Sequence, residues 1–182
     1  MAIRPILRLG HPVLRQIAAP VTEFGTPELR ELVHDLLETM RANDGAGLAA
    51  IQIGVLQRVV VFELMANPRY PDAEPVPLTV LVNPELEALG AERELGWEGC
   101  LSVPGMRGLV PRYRRLRCRG FDELGQPIDR TVTDFHARVV QHECDHLNGI
   151  LYPQRIEDMR AFGFQEELIA SGLLPLAAAG AD

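Results

Sequence analysis

The sequence lacks several features that would point to whole classes of protein. No apolar run approaches the roughly 20 residues that span a bilayer, and the start, Met-Ala-Ile-Arg-Pro, lacks the apolar core of a signal peptide. Only three cysteines occur, at spacings that do not indicate a disulfide framework. There are 18 Lys and Arg against 25 Asp and Glu, so we expect no general attraction to nucleic acid or to an anionic membrane. These absences predict a cytoplasmic protein.

Length and composition are typical of one folded domain. The 182 residues are 47% hydrophobic and 24% charged, which is ordinary for a globular protein. This length supports one domain with a substantial core and is short for two. Residues 1–182 are therefore predicted to form a single domain, with the Ala- and Gly-rich end, residues 172–182, as a flexible tail.

The pattern of apolar residues predicts an α+β fold. Thr26-Pro27-Glu28 has the capping hydroxyl, proline and acid that begin a helix, and apolar residues at helical spacing extend it to about residue 41. One helical turn is expected near Val13. We expect antiparallel or mixed sheets around a central buried metal-binding helix, with the N-terminal helix and a C-terminal amphipathic helix over 156–169 on the outside. Strands are predicted at 58–64, 79–82, 85–93, 113–121 and 128–132.

Two stretches have unusual composition. Residues 66–77 contain four prolines and are interpreted as a surface insertion that could rim a site, with no function assigned to it. Residues 107–119 contain six arginines. Because apolar residues alternate with these arginines and the rest of the chain is acidic, we interpret this stretch as a strand with a solvated outer face.

The segment Gln141-His142-Glu143-Cys144-Asp145-His146 is the candidate metal site. Two histidines four residues apart on a helix lie about 5–6 Å apart at Cβ, so both imidazoles can bind one divalent ion while Glu143 lies beside it. Val139 and Gly149 fall on the same side of a helical wheel as the histidines. The other side is apolar, which predicts a buried helix: Ala137, Val140, Cys144, Leu147 and Leu151. The alternative is that the histidines are ordinary helix residues and Glu143 is a solvated charge.

Such a site needs a third ligand, for which three placements exist. A peptidase class that continues His-x-x-Gly-x-x-His is excluded, because Tyr152 occupies the position of its last histidine. A second class takes a downstream glutamate, which Glu166 or Glu167 could supply. The third candidate is Cys100, in a stretch typical of a loop or strand edge. Cys144 is excluded, because it points to the opposite side of the helix from His142.

The segment Gly45-Ala46-Gly47-Leu48-Ala49-Ala50-Ile51-Gln52 begins with a formal match to the dinucleotide-binding fingerprint. That fingerprint follows a strand and opens a helix, whereas this segment follows a helix and leads toward a strand. We interpret it instead as a loop whose small residues let the backbone approach another group closely.

Three segments together resemble the motifs of bacterial peptide deformylases: Gly45–Gln52, Glu98-Gly99-Cys100-Leu101-Ser102 and Gln141–His146. They occur in the family's order and at similar separations, and the resemblance extends to about residue 169. Ile51 lies at a motif position that varies in the family. The C-terminus lacks the long basic helix with which some members dock on the ribosome, so at most a transient ribosome contact is expected.

The resemblance implies an activity and a role for each motif residue. The family removes the formyl group from the N-terminal formylmethionine of newly synthesised polypeptides and releases formate. Cys100, His142 and His146 would bind the metal and leave a fourth position for water, which Glu143 would deprotonate as general base before acting as acid. The oxyanion would be stabilised by Gln52 and by the N–H of Leu101. The substrate would contact Gly45, Gly47 and Val139, and an ion pair between Glu98 and Arg107 would hold the cysteine loop.

The resemblance also implies the cofactor and the partners. One divalent ion is expected. The family typically uses Fe(II), and Zn, Ni or Co can replace it. The partners would be N-formylmethionyl nascent peptides, without direct nucleic-acid or membrane binding. Two other hypotheses stay open: a metallopeptidase with a downstream glutamate ligand, and a metal-stabilised binding protein without activity. Glu143 and Gln52 argue against the second, because a scaffold needs neither.

Overall fold

The computed structural model describes residues 3–64 and 75–175. Within them the α-helices are α1 (Pro27–Ala42), α2 (Asp134–His146) and α3 (Gln165–Ala170). The strands are β1 (Gly47–Ala49), β2 (Val59–Leu64), β3 (Val76–Ala88), β4 (Arg93–Cys100), β5 (Val103–Tyr113), β6 (Arg115–Phe121), β7 (Pro127–Thr133) and β8 (Phe162–Phe164). Short 3-10 helices lie at Pro12–Arg15, Ala50–Ile53, Tyr152–Arg155 and Met159–Ala161.

The strands form two antiparallel sheets. The larger sheet has the order β1-β2-β3-β6-β7, and the smaller has the order β4-β5-β8. Helix α2 contacts β1 and β2 of the larger sheet and β5 of the smaller one. The predicted α+β fold around a central helix is confirmed, and α2 is placed where groups from both sheets can reach it.

Both faces of the larger sheet are covered by helices. Along β2, Val59 and Val61 pack in one cluster with Leu36 of α1. The alternate residue Val60 packs in another cluster with Val140 of α2. Because both faces are buried, β2 is an unbroken apolar run, which is why composition alone predicted it.

Helix α1 forms as predicted from its first residues. The Thr26 hydroxyl accepts a hydrogen bond from the Leu29 N–H at 3.2 Å, and Pro27 occupies the first helical position, where its missing N–H costs nothing. The helix ends at Ala42, one residue beyond the predicted end. The turn near Val13 is also present, as a 3-10 helix.

A C-terminal helix is present, as α3, but the extent predicted for it, 156–169, is wrong. The segment instead contains a 3-10 turn, strand β8 and a six-residue helix, α3. Strand β8 pairs with β5, where Phe162 lies opposite Gly108 and Phe164 opposite Met106. This pairing draws the backbone into the smaller sheet, so tertiary contacts override the helical spacing of the apolar residues.

The strand predictions missed the β4–β5 hairpin, which carries Cys100. Its many glycines and prolines weaken the strand signal. Glu98 lies opposite Gly108 but Cys100 lies opposite Val103, so residues 104–107 bulge out of the hairpin. Elsewhere, the strands predicted at 79–82 and 85–93 are largely one strand, β3, whose pairing with β6 is irregular near Asn83, which has φ +51°.

Two predicted segments lie partly outside the described residues. Of the Pro-rich stretch 66–77, residues 66–74 fall there, whereas Val76 and Pro77 belong to β3. Of the predicted flexible tail, residues 176–182 fall there, and Leu174 is buried in one cluster with Leu168. In the described ranges, none of the helices has the length and apolar character needed to cross a membrane.

Candidate functional site

Helix α2 carries two of the proposed ligands in the interior of the protein. Residues 137–146 are all buried, as predicted. The rings of His142 and His146 lie edge to face, with centroids 4.9 Å apart. The helix ends at His146, so Gly149 and Leu151 lie beyond it, and their place on the helical wheel was wrong.

Cys100, the last residue of strand β4 in the smaller sheet, lies close to these histidines. The Cys100 sulfur and one ring nitrogen from each histidine all lie within 4.8 Å of one another. The sulfur is 3.4 Å from His146 Nε2. Glu166 and Glu167 are exposed on α3 and belong to no comparable cluster among the residues described. The geometry therefore favours Cys100 over a downstream glutamate as the third ligand.

The residues around this cluster fit a catalytic metal ion. One thiolate and two imidazoles are a donor set that divalent transition ions accept, and three protein ligands leave one position open. Beside the cluster, Glu143 Oε2 is buried without a hydrogen-bond partner in the described part of the chain. A buried carboxylate oxygen without a partner is costly, and a water molecule at the open position would satisfy it.

Glu98 orients His142. Its Oε2 lies 2.9 Å from His142 Nδ1, which leaves Nε2 to face the cluster. Arg112 donates two hydrogen bonds of 2.9 Å to the same carboxylate, and Arg138 donates a third at 2.9 Å. Burial alone would raise the pKa of Glu98, but the hydrogen bonds from His142 and Arg112 hold it well below its usual range.

The predicted ion pair between Glu98 and Arg107 is thus replaced by pairs with Arg112 and Arg138. Register explains the change. Glu98 lies opposite Gly108, so Arg112, four residues further along β5, falls on the same face of the hairpin as Glu98, whereas Arg107 falls on the other face. Arg107 instead lies against Gly99, where an added Cβ would overlap its guanidinium. Arg112 is 5% exposed, so the solvated face predicted for residues 107–119 is wrong at this position.

The ion network continues to the surface on the far side of α2. Arg112 also donates to Asp145, and Asp145 accepts from Arg155 at 2.6 Å. Sequence reasoning missed Arg112, Arg138 and Asp145 as supporting residues. Two features of the sequence could have indicated them: Asp145 lies between the two histidines, and an arginine-rich stretch follows the cysteine motif.

Glu143 is held in an environment suited to proton transfer. Burial, with a smaller contribution from the Glu98 charge, raises the pKa of Glu143 to about 7, against the lowering effect of His142. Its carboxylate lies against the backbone of β1, where a Cβ on Gly47 would overlap it. Gly47 is therefore required for close approach rather than for an unusual backbone angle, as the predicted role of the segment implied.

The Gln52 side chain points its amide nitrogen toward the cluster. Its Oε1 accepts from the Ala49 N–H at 2.8 Å, which fixes the amide orientation. Its Nε2 donates to the Ser102 hydroxyl at 3.1 Å and lies 3.5 Å from the Cys100 sulfur. Ser102 is fully buried, and its role as a partner of Gln52 had no signal in the sequence beyond its place in the cysteine motif.

One cavity of about 540 Å³ opens onto these groups. Its wall includes the residues that the sequence predicted for catalysis and substrate binding: Gly45, Gly47, Gln52, Leu101, Val139 and Glu143. The N-terminal residues Ile3, Arg4, Pro5, Ile6 and Arg8 also line it, and nothing in the sequence indicated this. The cavity can therefore admit an extended ligand whose end reaches the cluster.

The sequence of this chain matches proteins of one known family. The family model for polypeptide deformylase matches residues 3–162. Peptide deformylase 1 of Nitrosomonas europaea is 63% identical over 166 residues, which cover 91% of this chain and 94% of that protein. Peptide deformylase 2 of Ralstonia nicotianae is 60% identical over the same shares of the two chains.

Solved structures agree. The class I type b peptide deformylase of Acinetobacter baumannii with bound Met-Ala-Ser superposes with a TM-score of 0.83 at 40% identity, covering 85% of this chain and 99% of that one. The peptide deformylase of Thermotoga maritima gives a TM-score of 0.76 at 35% identity, covering 87% and 100%. On the family match, the identities and the shared fold, this chain belongs to the polypeptide deformylase family.

Proposed function

We propose that this chain removes the formyl group from the N-terminal formylmethionine of newly synthesised polypeptides and releases formate. The observation that carries the proposal is the meeting of Cys100, His142 and His146 beside a buried carboxylate, Glu143, with the Gln52 amide close by. The relative from Acinetobacter baumannii was solved with Met-Ala-Ser, a peptide that begins with the residue this reaction would leave at the N-terminus.

Cys100, His142 and His146 would hold one divalent ion. Fe(II) is the expected metal, and Zn, Ni or Co would also suit a donor set of one sulfur and two nitrogens. When bound, such an ion acts as a Lewis acid and can lower the pKa of water to about 7. Glu98 keeps His142 in the orientation and tautomer needed for binding, through its contact with Nδ1.

Glu143 would move the protons of the reaction. With a pKa raised to about 7 by burial, its carboxylate can take a proton from the attacking water and later give one to the leaving amine near neutral pH. Its unpartnered Oε2 is the atom that we assign to this transfer.

Gln52 and Leu101 would stabilise the negative charge that develops on the formyl oxygen. The Ala49 N–H donates to Oε1 of the Gln52 amide, and this hydrogen bond keeps Nε2 pointing toward the cluster. Leu101 follows the ligand cysteine directly and would supply its backbone N–H. Donors fixed in this way act without reorganising during the reaction, and the loss of one typically costs about 10²–10³ in rate.

The rest of the cavity would bind the peptide. We assign the methionine side chain to a pocket that includes Val139, and the peptide backbone to the edge formed by Gly45 and Gly47. A partly exposed strand edge such as β1 offers backbone groups to an extended peptide. The peptide residues that follow the methionine would lie along the N-terminal residues that line the cavity.

The cytoplasm is the compartment that we propose. The three cysteines are all free, and Cys100 must stay reduced to bind a metal. Nascent peptides meet the enzyme there, and contact with the ribosome would be transient.

The test is formate release from a formyl-Met-Ala-Ser peptide by protein purified without oxygen, with metal content measured on the same sample. We expect formate release together with about one metal ion per chain, and loss of both in Cys100→Ser. A metallopeptidase with a downstream glutamate ligand would instead tolerate Cys100→Ser and lose its metal in Glu166→Gln or Glu167→Gln. A metal-bound scaffold would release no formate, and Glu143→Ala would leave its function intact.

A further inference from the structure

The turn that presents Leu101 has little local stabilisation of its own. Cys100 pairs with Val103, so Leu101 and Ser102 form a two-residue turn between β4 and β5. Turns of this length favour Gly, Asn or Asp with positive φ, because that backbone twist matches the strands. Neither Leu101 nor Ser102 is Gly, Asn or Asp, and neither has a positive φ. Contacts from other parts of the chain therefore contribute to holding the turn.

Two such contacts are made by the N-terminal segment and by Gln52, in addition to the packing of the Leu101 side chain against the buried cluster that includes Met40. The Leu9 N–H donates to the Ser102 carbonyl at 2.7 Å, and Gln52 Nε2 donates to the Ser102 hydroxyl at 3.1 Å. Two residues earlier, the Leu7 N–H donates to the Gln52 carbonyl at 2.8 Å. The backbone of residues 7–9 thus connects the two elements that carry the proposed oxyanion donors.

The N-terminal segment, residues 3–9, is itself anchored to α1. The Arg4 N–H donates to Thr39 Oγ1 at 2.9 Å, and the Arg4 guanidinium pairs with Asp35 at 2.9 Å. Leu7 packs against the buried cluster that includes Cys100. Because this segment is fixed at Arg4 and at Leu7, it can act as a frame for the groups bonded to it.

We propose that the N-terminal segment positions the Gln52 amide and the Leu101 N–H relative to each other, through the backbone N–H groups of Leu7 and Leu9. The inference rests on the proposed deformylase activity, in which these two donors meet one oxygen. Donors aimed at the transition state act on kcat more than on substrate binding. Loosening the frame should therefore lower kcat and leave KM nearly unchanged.

Leu9→Pro tests this with little other disturbance. Arg8 to His11 is a turn closed by the His11 N–H on the Arg8 carbonyl at 3.0 Å, with Gly10 at φ +106°. This resembles a type II turn, whose second position, here Leu9, accepts proline readily. The Leu9 side chain is 51% exposed, so the main loss is the N–H that bonds Ser102. The matched variant, Leu9→Ala, keeps that N–H and measures the effect of the side chain alone.

We expect kcat of Leu9→Pro to lie about tenfold below that of Leu9→Ala, the size that one hydrogen bond permits, with similar KM and thermal midpoints. Amide hydrogen exchange across residues 100–103 should be faster in Leu9→Pro than in Leu9→Ala. This second readout does not depend on activity.

Equal kcat and equal exchange in the two variants would overturn the proposal. A lower thermal midpoint with a proportional loss of active protein would also overturn it, since Leu9 would then serve the fold alone. Wild-type protein that released no formate would remove the proposed function, while the exchange comparison would still decide whether Leu9 holds the turn.

Discussion

Arginines from one stretch of the chain end in two different environments. Arg112 is buried and donates to Glu98 and Asp145 beside the cluster of Cys100, His142 and His146. Arg117 is exposed on the larger sheet and makes an equally well-formed pair with Asp129, with hydrogen bonds of 2.8 and 2.6 Å. Solvent screens the exposed pair, whereas loss of one partner in the buried network leaves the remaining buried charges less well compensated. Ion pairs of similar geometry therefore contribute very differently to the free energy of unfolding.

The two regions also differ in what they can do for catalysis. The exposed pair of Arg117 and Asp129 links β6 with β7 at the surface. The buried network ends on His142 Nδ1, so it fixes the direction of a proposed metal ligand. Glu143 lies in the same buried region but makes no ion pair among the described residues, and its pKa is raised where that of Glu98 is lowered. Two neighbouring acids are thus suited to different tasks.

The largest effect should come from replacing the unpaired acid. Glu143→Gln keeps the shape of the side chain but cannot accept a proton, so we expect kcat/KM to fall by about 10²–10⁴. Metal content and thermal midpoint should stay near those of the wild type. Formate release and metal analysis on one preparation check this. Near-normal turnover in the variant would show that another group moves the proton.

A somewhat smaller effect, on stability, should follow from removing a buried arginine. Arg112→Met leaves Glu98 and Asp145 with fewer partners in the interior, which typically costs about 3–5 kcal/mol of unfolding free energy. Urea unfolding of the metal-free protein measures it. The matched control is Arg117→Met, for which we expect a change close to the error of the measurement. Equal losses in both variants would remove the distinction between the two regions.

A third test concerns the space beside Glu143. Gly47→Ala places a Cβ where the carboxylate lies, and a displacement of about 1 Å at a catalytic group can cost 10²-fold in rate. We expect kcat to fall by about this factor, with little change in stability, because the backbone of β1 is not strained. Gly163→Ala is the control, since its Cβ would meet Leu168 at an ordinary 3.6 Å. A fully active Gly47→Ala protein would contradict the assigned contact.

The smallest effect should appear in the pH dependence of stability. Burial, with a contribution from Arg130, lowers the pKa of His136 to about 4. Below about pH 6.5 the unfolded chain binds a proton that folded His136 refuses until about pH 4, so stability is lost as pH falls through this window. His136→Gln should flatten that loss in urea midpoints measured at several pH values. His34→Gln, at an exposed position of α1, serves as control, and an unchanged slope in His136→Gln would contradict the assignment.

Local signals predicted helices α1 and α2 and the approach of the two histidines on α2. Thr26 and Pro27 marked the start of α1, and the spacing of His142 and His146 placed both rings on one buried face. These features depend on neighbours in sequence. The small residues of the segment Gly45–Gln52 predicted a close approach of the backbone to another group, but they did not predict that this group is Glu143.

What the sequence could not predict depends on pairing across the fold. Arg112 rather than Arg107 binds Glu98 because the hairpin register and its bulge place it there. Strand β8 forms in a segment with helical spacing because β5 offers it a partner. The contact between Leu9 and Ser102 joins two segments without any motif in the first. Register and long-range backbone contacts leave no periodic trace in composition.

X-ray absorption at the edge of the bound metal, on protein purified without oxygen, would identify the atoms that bind the ion. We expect one sulfur at about 2.3 Å and two imidazole nitrogens at about 2.0–2.1 Å, the distances typical of zinc, with the sulfur lost in Cys100→Ser. A first shell without sulfur, or one closed by a fourth protein side chain, would contradict this expectation.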